Sequence, residues 1–213
     1  MATSNYPGSL DDYSTLPSSG TPITVSSHYF GPAITNIEAE LGTDPAGTFT
    51  DVKSRLDSGL VTQADIWRLT ADKIADNTTI SANLERADDA SSGLLGTGMT
   101  ESSGVFSFPE TGIYLVCLDV LFALGSSSPQ DNVEAYIEVT IDNSSYDRVA
   151  VCTGSIQTGN GQQSGSTSAL VDVTNVSNVK CRFALGSANA SNGLSGSSSQ
   201  NNTAFTFIRL GGT

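Results

Sequence analysis

Apolar positions recur along this chain at two different spacings, and the change falls near residue 64. Upstream of it, in PAITNIEAEL (32–41), Ile34, Ile37 and Leu41 repeat at three and four residues, and Phe30 extends the stripe backwards. Pro32 suits a first helical position and Gly42 the position after a helix end. In TFTDVKSRLDSGL, Phe49, Val52 and Leu56 keep the same spacing. The pattern predicts two short helices within 29–63, both too short to be stable alone. Their stripes either pack on the protein's own core or form a parallel bundle of identical chains. Isoleucine at both seam positions favours three strands or more in such a bundle.

From Asp65 onward the spacing drops toward two. The runs that read as strands are 65–74, 79–87, 104–109, 112–124, 133–141, 146–156, 168–175, 179–187 and 203–210. Turn-rich breaks separate them: SSSPQDN, DNSS, QTGNGQQSGS and the long SANASNGLSGSSSQNN. This many short strands joined by polar turns predicts an all-β antiparallel sandwich or barrel over 64–213. Residues 1–28 show no period, only Pro, Ser, Thr and Gly with Tyr6 and Tyr13 among them. By composition this is an extended arm that orders only when something holds it.

The longest apolar run, FPETGIYLVCLDVLFAL at 108–124, has two readings. A Pro-Glu-Thr-Gly tetrad before an apolar stretch resembles the anchor that sortases cut. The stretch begins with Phe rather than Leu, however, lies far from the carboxyl terminus, and is followed by no basic tail. It therefore reads as a turn feeding one strand, with Gly112 permitting the bend. By parity, Ile113, Leu115, Cys117, Asp119 and Leu121 share one face, and Tyr114, Val116, Leu118, Val120 and Phe122 the other. Both faces are apolar apart from Asp119. One face of a sandwich strand meets the opposite sheet, and the other normally meets water. An apolar outer face predicts that a second subunit covers it. Asp119 would then need a cation, which Arg209 or Arg68 would supply.

Charge and chemistry narrow the function. The 213 residues carry 9 Lys+Arg against 22 Asp+Glu, a formal charge of -13, which repels nucleic acid. No window reaches the roughly 18 apolar residues of a membrane helix, and MATSNYPGSL has no basic or apolar segment of a signal peptide. Cys117, Cys152 and Cys181, each within a strand run and without C-x-x-C spacing, read as buried free thiols of a chain made in a cytoplasm. A single histidine, His28, lies in the arm. No G-x-S-x-G elbow, P-loop or metal-ligand cluster occurs, so no catalytic, cofactor or metal site is assigned. Asp11-Asp12 and Asp88-Asp89 read as solvated loops, and Asp142-Asn143-Ser144 as a tight turn rather than a calcium loop.

At this point the chain resembles the jelly-roll trimers that include tumour necrosis factor and the globular heads of complement's first component. The complement-head pattern F-x5-G-x-Y-x-F-x-[FY] is met by Phe106, Gly112 and Tyr114, with Val116 and Leu118 at its last two aromatic positions. TAFTFIRLGG resembles the final strand of that family. The resemblance implies a TNF-like antiparallel jelly roll over 64–213 and a homotrimer. It also assigns Tyr114, Val116 and Leu118 to the core, and turns Ile113, Leu115, Cys117, Asp119 and Leu121 toward the threefold axis. The stretch from Asp65 to Val116 is similar to proteins of bacteriophages and marine viruses. Tyr6-Pro7-Gly8-Ser9-Leu10-Asp11, the span Ile34 to Gly42, and Arg55-Leu56-Asp57 resemble the amino-terminal attachment region of phage fibre and appendage proteins.

Together these imply a structural virion protein, not an enzyme, without cofactor. It would be a homotrimeric fibre, spike or decoration whose arm (Tyr6, Pro7, Leu10, Tyr13) docks on other capsid or tail proteins. Ile34, Ile37 and Leu41 would join the trimer interface with Arg209. An alternative is a module that recognises a host-surface glycan or protein through the loops at 157–168 and 187–202, whose plainer reading is solvated loops. A polysaccharide depolymerase is the weakest of the three.

Overall fold

The computed structural model describes residues 59–213 apart from 75–76, 125–129, 157–160 and 188–191, together with Thr48, Val52 and Leu56. Two compact units divide the chain, residues 1–57 and 58–213. In the first, Val52 and Leu56 are helical. The expected helix at 32–41, and with it Ile34, Ile37 and Leu41, lies outside the described residues, as do Tyr6, Pro7, Leu10 and Tyr13 of the arm.

The second unit holds twelve described strands. They are β1 (Ala64–Leu69), β2 (Lys73–Ile74), β3 (Leu84–Arg86), β4 (Thr100–Ser102), β5 (Val105–Ser107) and β6 (Gly112–Leu124). There follow β7 (Gln130–Thr140), β8 (Asp147–Ile156), β9 (Gln162–Val173), β10 (Lys180–Ser187), β11 (Asn192–Leu194) and β12 (Ala204–Gly211). One sheet runs β2-β11-β6-β12-β1-β3, with β9 on the free edge of β6; the other runs β4-β5-β10-β7-β8. Every pairing is antiparallel. The two sheets pack face to face as a jelly-roll sandwich.

β6 is the centre of the first sheet. β9 pairs with it from Gly112 to Ala123 along one edge. Along the other edge β12 pairs with Ile113–Asp119 and β11 with Phe122–Leu124. The turn expected at Pro109–Gly112 forms, and its glycine is required. Gly112 has φ +144°, and a Cβ there would meet the Gly211 carbonyl at 2.4 Å. The same turn is fixed by Glu110, whose carboxylate accepts from Thr62 Oγ1 at 2.9 Å and Gln63 Nε2 at 3.1 Å. Its carbonyl accepts from the Tyr114 hydroxyl at 3.1 Å.

The core is aromatic. Phe106 on β5 meets Trp67, Phe183, Phe205 and Phe207 at ring-centroid distances of 5.1–6.1 Å, drawing rings from both sheets together. Tyr114, Val116, Leu118, Val120 and Phe122 line this core from β6, as their parity predicts. At the edge where β8 and β9 meet, the Phe122 ring fills the gap opposite Gly154 and Gly165.

Several strands were not expected. Residues 162–167, read as loop, belong to β9, because its ladder with β6 runs unbroken over twelve residue pairs and imposes the strand on Ser, Gly and Gln. Asn192–Leu194, also read as loop, is β11, held between β2 and β6. The loops at 157–168 and 187–202 are therefore shorter than expected. β4 joins β5 through Ser103 and Gly104, both at positive φ, the geometry of a tight two-residue hairpin. The run at 79–87 shrinks to β3 and a single bridge between Thr79 and Ala184.

Asp142 forms the expected turn: its carboxylate accepts from Ser144 N at 2.9 Å, Ser145 N at 2.8 Å and Thr140 Oγ1 at 2.8 Å. Those donors hold its carboxyl well below the usual carboxylate range. Asp88 and Asp89 lie in a solvent-exposed turn, as expected, but they are not without partners. Both close on Arg68.

Candidate assembly face

The face of the first sheet turned away from the core is set by the strand registers. On β6 it carries Ile113, Leu115, Cys117, Asp119 and Leu121. β9 places Asp172, Leu170, Ser168, Ser166 and Ser164 directly opposite these five in the same order. On the other side, Ile208, Thr206 and Ala204 of β12 oppose Leu115, Cys117 and Asp119. β1 then places Ala64, Ile66 and Arg68 beside those three β12 residues.

Two zones result. One end is apolar: Ile113, Leu115, Leu170, Ile208 and Ile66 form a band across four strands. Leu170 in that band is 68% exposed, unusual for a leucine on a sheet. The remaining members are half-buried. The other end is polar. Asp119 is exposed there, in an open depression of about 410 Å³ lined with Ser164, Ser166, Asn201 and Asn202. The five odd residues of β6 thus share one face, as parity predicts, but only the half nearest Ile113 is continuous with apolar neighbours.

Neither arginine expected to pair with Asp119 does so among the described residues. Arg68 lies beside Ala204, the β12 partner of Asp119, yet its guanidinium turns to three acidic groups of its own. It donates to Glu85 Oε1 at 2.7 Å, to Asp89 Oδ2 at 2.6 Å, and to Asp88. A fully buried arginine is tolerable only when its donors are matched in this way. Arg209 sits at the far end of β12. It donates to the Thr111 carbonyl at 2.9 Å and Thr62 Oγ1 at 3.2 Å, and Glu110 is 3.5 Å away. Its side chain braces the Pro109–Gly112 turn rather than the outer face.

A second anchor lies next to Arg68 on β1. Asp65, 4% exposed, accepts from Trp67 Nε1 at 2.9 Å, Arg86 Nε at 2.9 Å and Nη2 at 3.1 Å, and Met99 N at 2.7 Å. One carboxylate thereby ties β1 to β3 and to the segment before β4. Its sequence signal was only an acidic residue at the head of an apolar run.

The three cysteines are free. Cys152 and Cys181 are buried, and burial pushes both thiols up, Cys181 most. Cys117 is half-buried on the outer face, and its thiol is likewise raised by burial and then by Asp119. Among the described residues no group of three or more His, Cys, Asp or Glu side chains is placed to hold a metal ion. None of their helices is long and apolar enough to cross a membrane.

No protein-family model matches the chain, and no curated protein sequence matches it. Solved structures do resemble it. Eiger TNF from S. frugiperda aligns over 72% of this chain and 96% of its own, with a TM-score of 0.54 and 13% identity. Murine APRIL aligns over 70% of this chain and 98% of its own, with a TM-score of 0.51 and 16% identity. The globular domain of zebrafish complement 1qA protein gives a lower TM-score, 0.46, at 11% identity, over 70% of this chain and 96% of its own. At such identities the likeness is one of fold, and that fold is the TNF-like antiparallel jelly roll.

Proposed function

We propose that this chain is a homotrimeric structural protein of a bacteriophage particle: a fibre, spike or decoration with an arm at 1–28, a linker at 29–63 and a jelly-roll head at 64–213. Three copies meet through the apolar band of Ile113, Leu115, Leu170, Ile208 and Ile66, with Cys117 at its border. Asp119 and Leu121 continue the same face toward its polar end. The arm, through Tyr6, Pro7, Leu10 and Tyr13, docks on another capsid or tail protein. The head stands away from the particle, where a host surface is met.

The observation that carries this reading is Leu170, 68% exposed beside Leu115 at the β9 margin of the band. Covering about 400 Å² of such surface contributes on the order of 10 kcal/mol per subunit. Association costs roughly 4–15 kcal/mol in lost freedom, a term of the same order that the covered band offsets. The virion half of the reading is supported by the phage-like arm sequence.

Multi-angle light scattering of the purified chain is the first test. A mass three times 22.0 kDa is expected, and a monomer at micromolar concentration overturns the trimer. Mass spectrometry of purified virus particles tests the second half. The wild-type chain should be found in the particle and a Leu10→Asp arm variant should be missing; its absence from particles in both forms overturns the virion role.

A further inference from the structure

The second sheet carries an open groove of about 350 Å³ on the face turned away from the core. That volume falls within the usual range of small-ligand sites. Its floor is made low by Ala184 and Gly186 on β10, and a Cβ at Gly186 would meet the Tyr136 hydroxyl at 2.4 Å. One wall is the segment Asn77–Thr79, which runs beside β10 through the Thr79–Ala184 bridge. The other wall is Tyr136 and Glu138 on β7 with Arg148 on β8. Arg182 stands at one end.

Each arginine is held by an aromatic face, which leaves guanidinium donors for a ligand. The Arg148 guanidinium carbon lies 3.2 Å from the centre of the Tyr136 ring, and that of Arg182 3.9 Å from the Tyr146 ring. Arg182 gives its Nε proton to Glu138 at 2.7 Å, so its terminal nitrogens remain. The Tyr136 hydroxyl is itself fixed on Glu134, which sets the ring that Arg148 covers. The groove lining thus sets two arginines beside Glu138, with Glu134 behind Tyr136, on a chain whose formal charge is -13.

We propose that this groove binds a sugar unit bearing a carboxylate. The acid group pairs with Arg148 and the terminal nitrogens of Arg182, in the planar two-point geometry that guanidinium offers to carboxylate. Glu138 accepts from a ring hydroxyl, and the sugar's apolar face lies on Ala184 and Gly186. Because the groove is open along the sheet, the unit enters as part of a chain rather than as an enclosed metabolite. The site lies wholly within one subunit and does not depend on the trimer.

Isothermal titration of the full chain tests this with a tetrasaccharide of alternating glucuronic acid and N-acetylglucosamine, against the neutral N-acetylglucosamine tetramer. The acidic sugar should bind at least about tenfold more tightly, and its affinity should fall as salt rises from about 0.05 to 0.3 M. Arg148 is exposed, so Arg148→Ala should fold normally and lose about tenfold or more in affinity. Ala184→Leu raises the floor without touching a charge and should abolish binding. Absence of binding by the acidic tetrasaccharide, equal binding of the neutral one, or wild-type affinity in Arg148→Ala would each overturn the proposal. A Leu170→Glu variant should bind like the wild type; loss of binding there would place the site between subunits.

Discussion

Leu115 and Leu170 face each other directly across the β6–β9 ladder, on the side of the first sheet turned away from the sandwich core. A glutamate at either position would place a charge inside the proposed interface, where desolvation without a partner is costly. Leu170 is the better site for substitution because it bears little on the core of its own subunit. Leu170→Glu is expected to give a folded monomer by light scattering with an unchanged far-ultraviolet circular dichroism spectrum. A Leu170→Glu protein that keeps the wild-type trimer mass would exclude this face from the interface.

The same face contains a chemical reporter. Cys117 is half-buried in the single subunit, whereas Cys152 and Cys181 are buried. In native protein, iodoacetamide is expected to leave all three thiols unmodified when the trimer is intact. In Leu170→Glu it should modify Cys117 alone, read by peptide mass spectrometry. Fast labelling of Cys117 in the wild type would contradict the covering.

Asp65 tests the coupling of β1 to its surroundings. Asp65→Ala removes the acceptor of Trp67 Nε1, the Arg86 guanidinium and Met99 N together. The expected loss is about 3 kcal/mol, read as a lower urea midpoint. Trp67 is the only tryptophan in the chain, so its fluorescence reports this strand without labels. Asp65→Asn keeps the shape and one acceptor oxygen, and should lose less.

Gly154 tests the edge closure. A Cβ there would come within 2.7 Å of Phe122 Cδ2. Gly154→Val is expected to cost about 1–3 kcal/mol through overpacking. Adding Phe122→Leu should recover part of that loss, a coupling that a double-mutant cycle measures directly.

Two tyrosines set the alkaline limit. Burial, then the Glu110 charge, pushes Tyr114 up to about 12. Burial, then the Glu134 hydrogen bond, does the same for Tyr136, also to about 12. Since folding raises these values above the ordinary 10.0, the neutral form is the one the fold favours. Their contribution is fully present below pH 10 and is lost as pH rises from there toward 12. Denaturant midpoints should therefore fall across that window, and Tyr114→Phe with Tyr136→Phe should flatten the fall. An unchanged slope in the double variant would assign the alkaline loss to other groups.

The central strand was readable from sequence because thirteen apolar-rich residues leave only one period that fits, and Tyr114, Val116 and Leu118 entered the core as their parity required. Residues 162–167 and 192–194 were not readable. Their Ser, Gly, Gln and Asn have little preference for strands, and the partner ladder imposes the extended state. The partners of Arg68 were hidden for a different reason. Glu85 is across a ladder and Asp88 and Asp89 are in the turn that follows, so only the closed fold brings all three to one guanidinium. The groove gave one faint sign in sequence, the alternation of Glu134, Tyr136 and Glu138, which says that the outer side of β7 is polar but not that two arginines lean over it.

The clamp at Thr62 and Gln63 has a mechanical consequence. Glu110 grips both side chains, Arg209 holds Thr62, and the Arg209 amide donates to the Gln63 carbonyl at 2.9 Å. Tension applied along the chain from residues upstream of Thr62 meets this knot before it reaches the first rung of β1. Beyond the knot, β1 is flanked by β12 and β3, so it is held by ladders on both edges. The first strand is thus secured at its amino-terminal end by side chains as well as by its ladders.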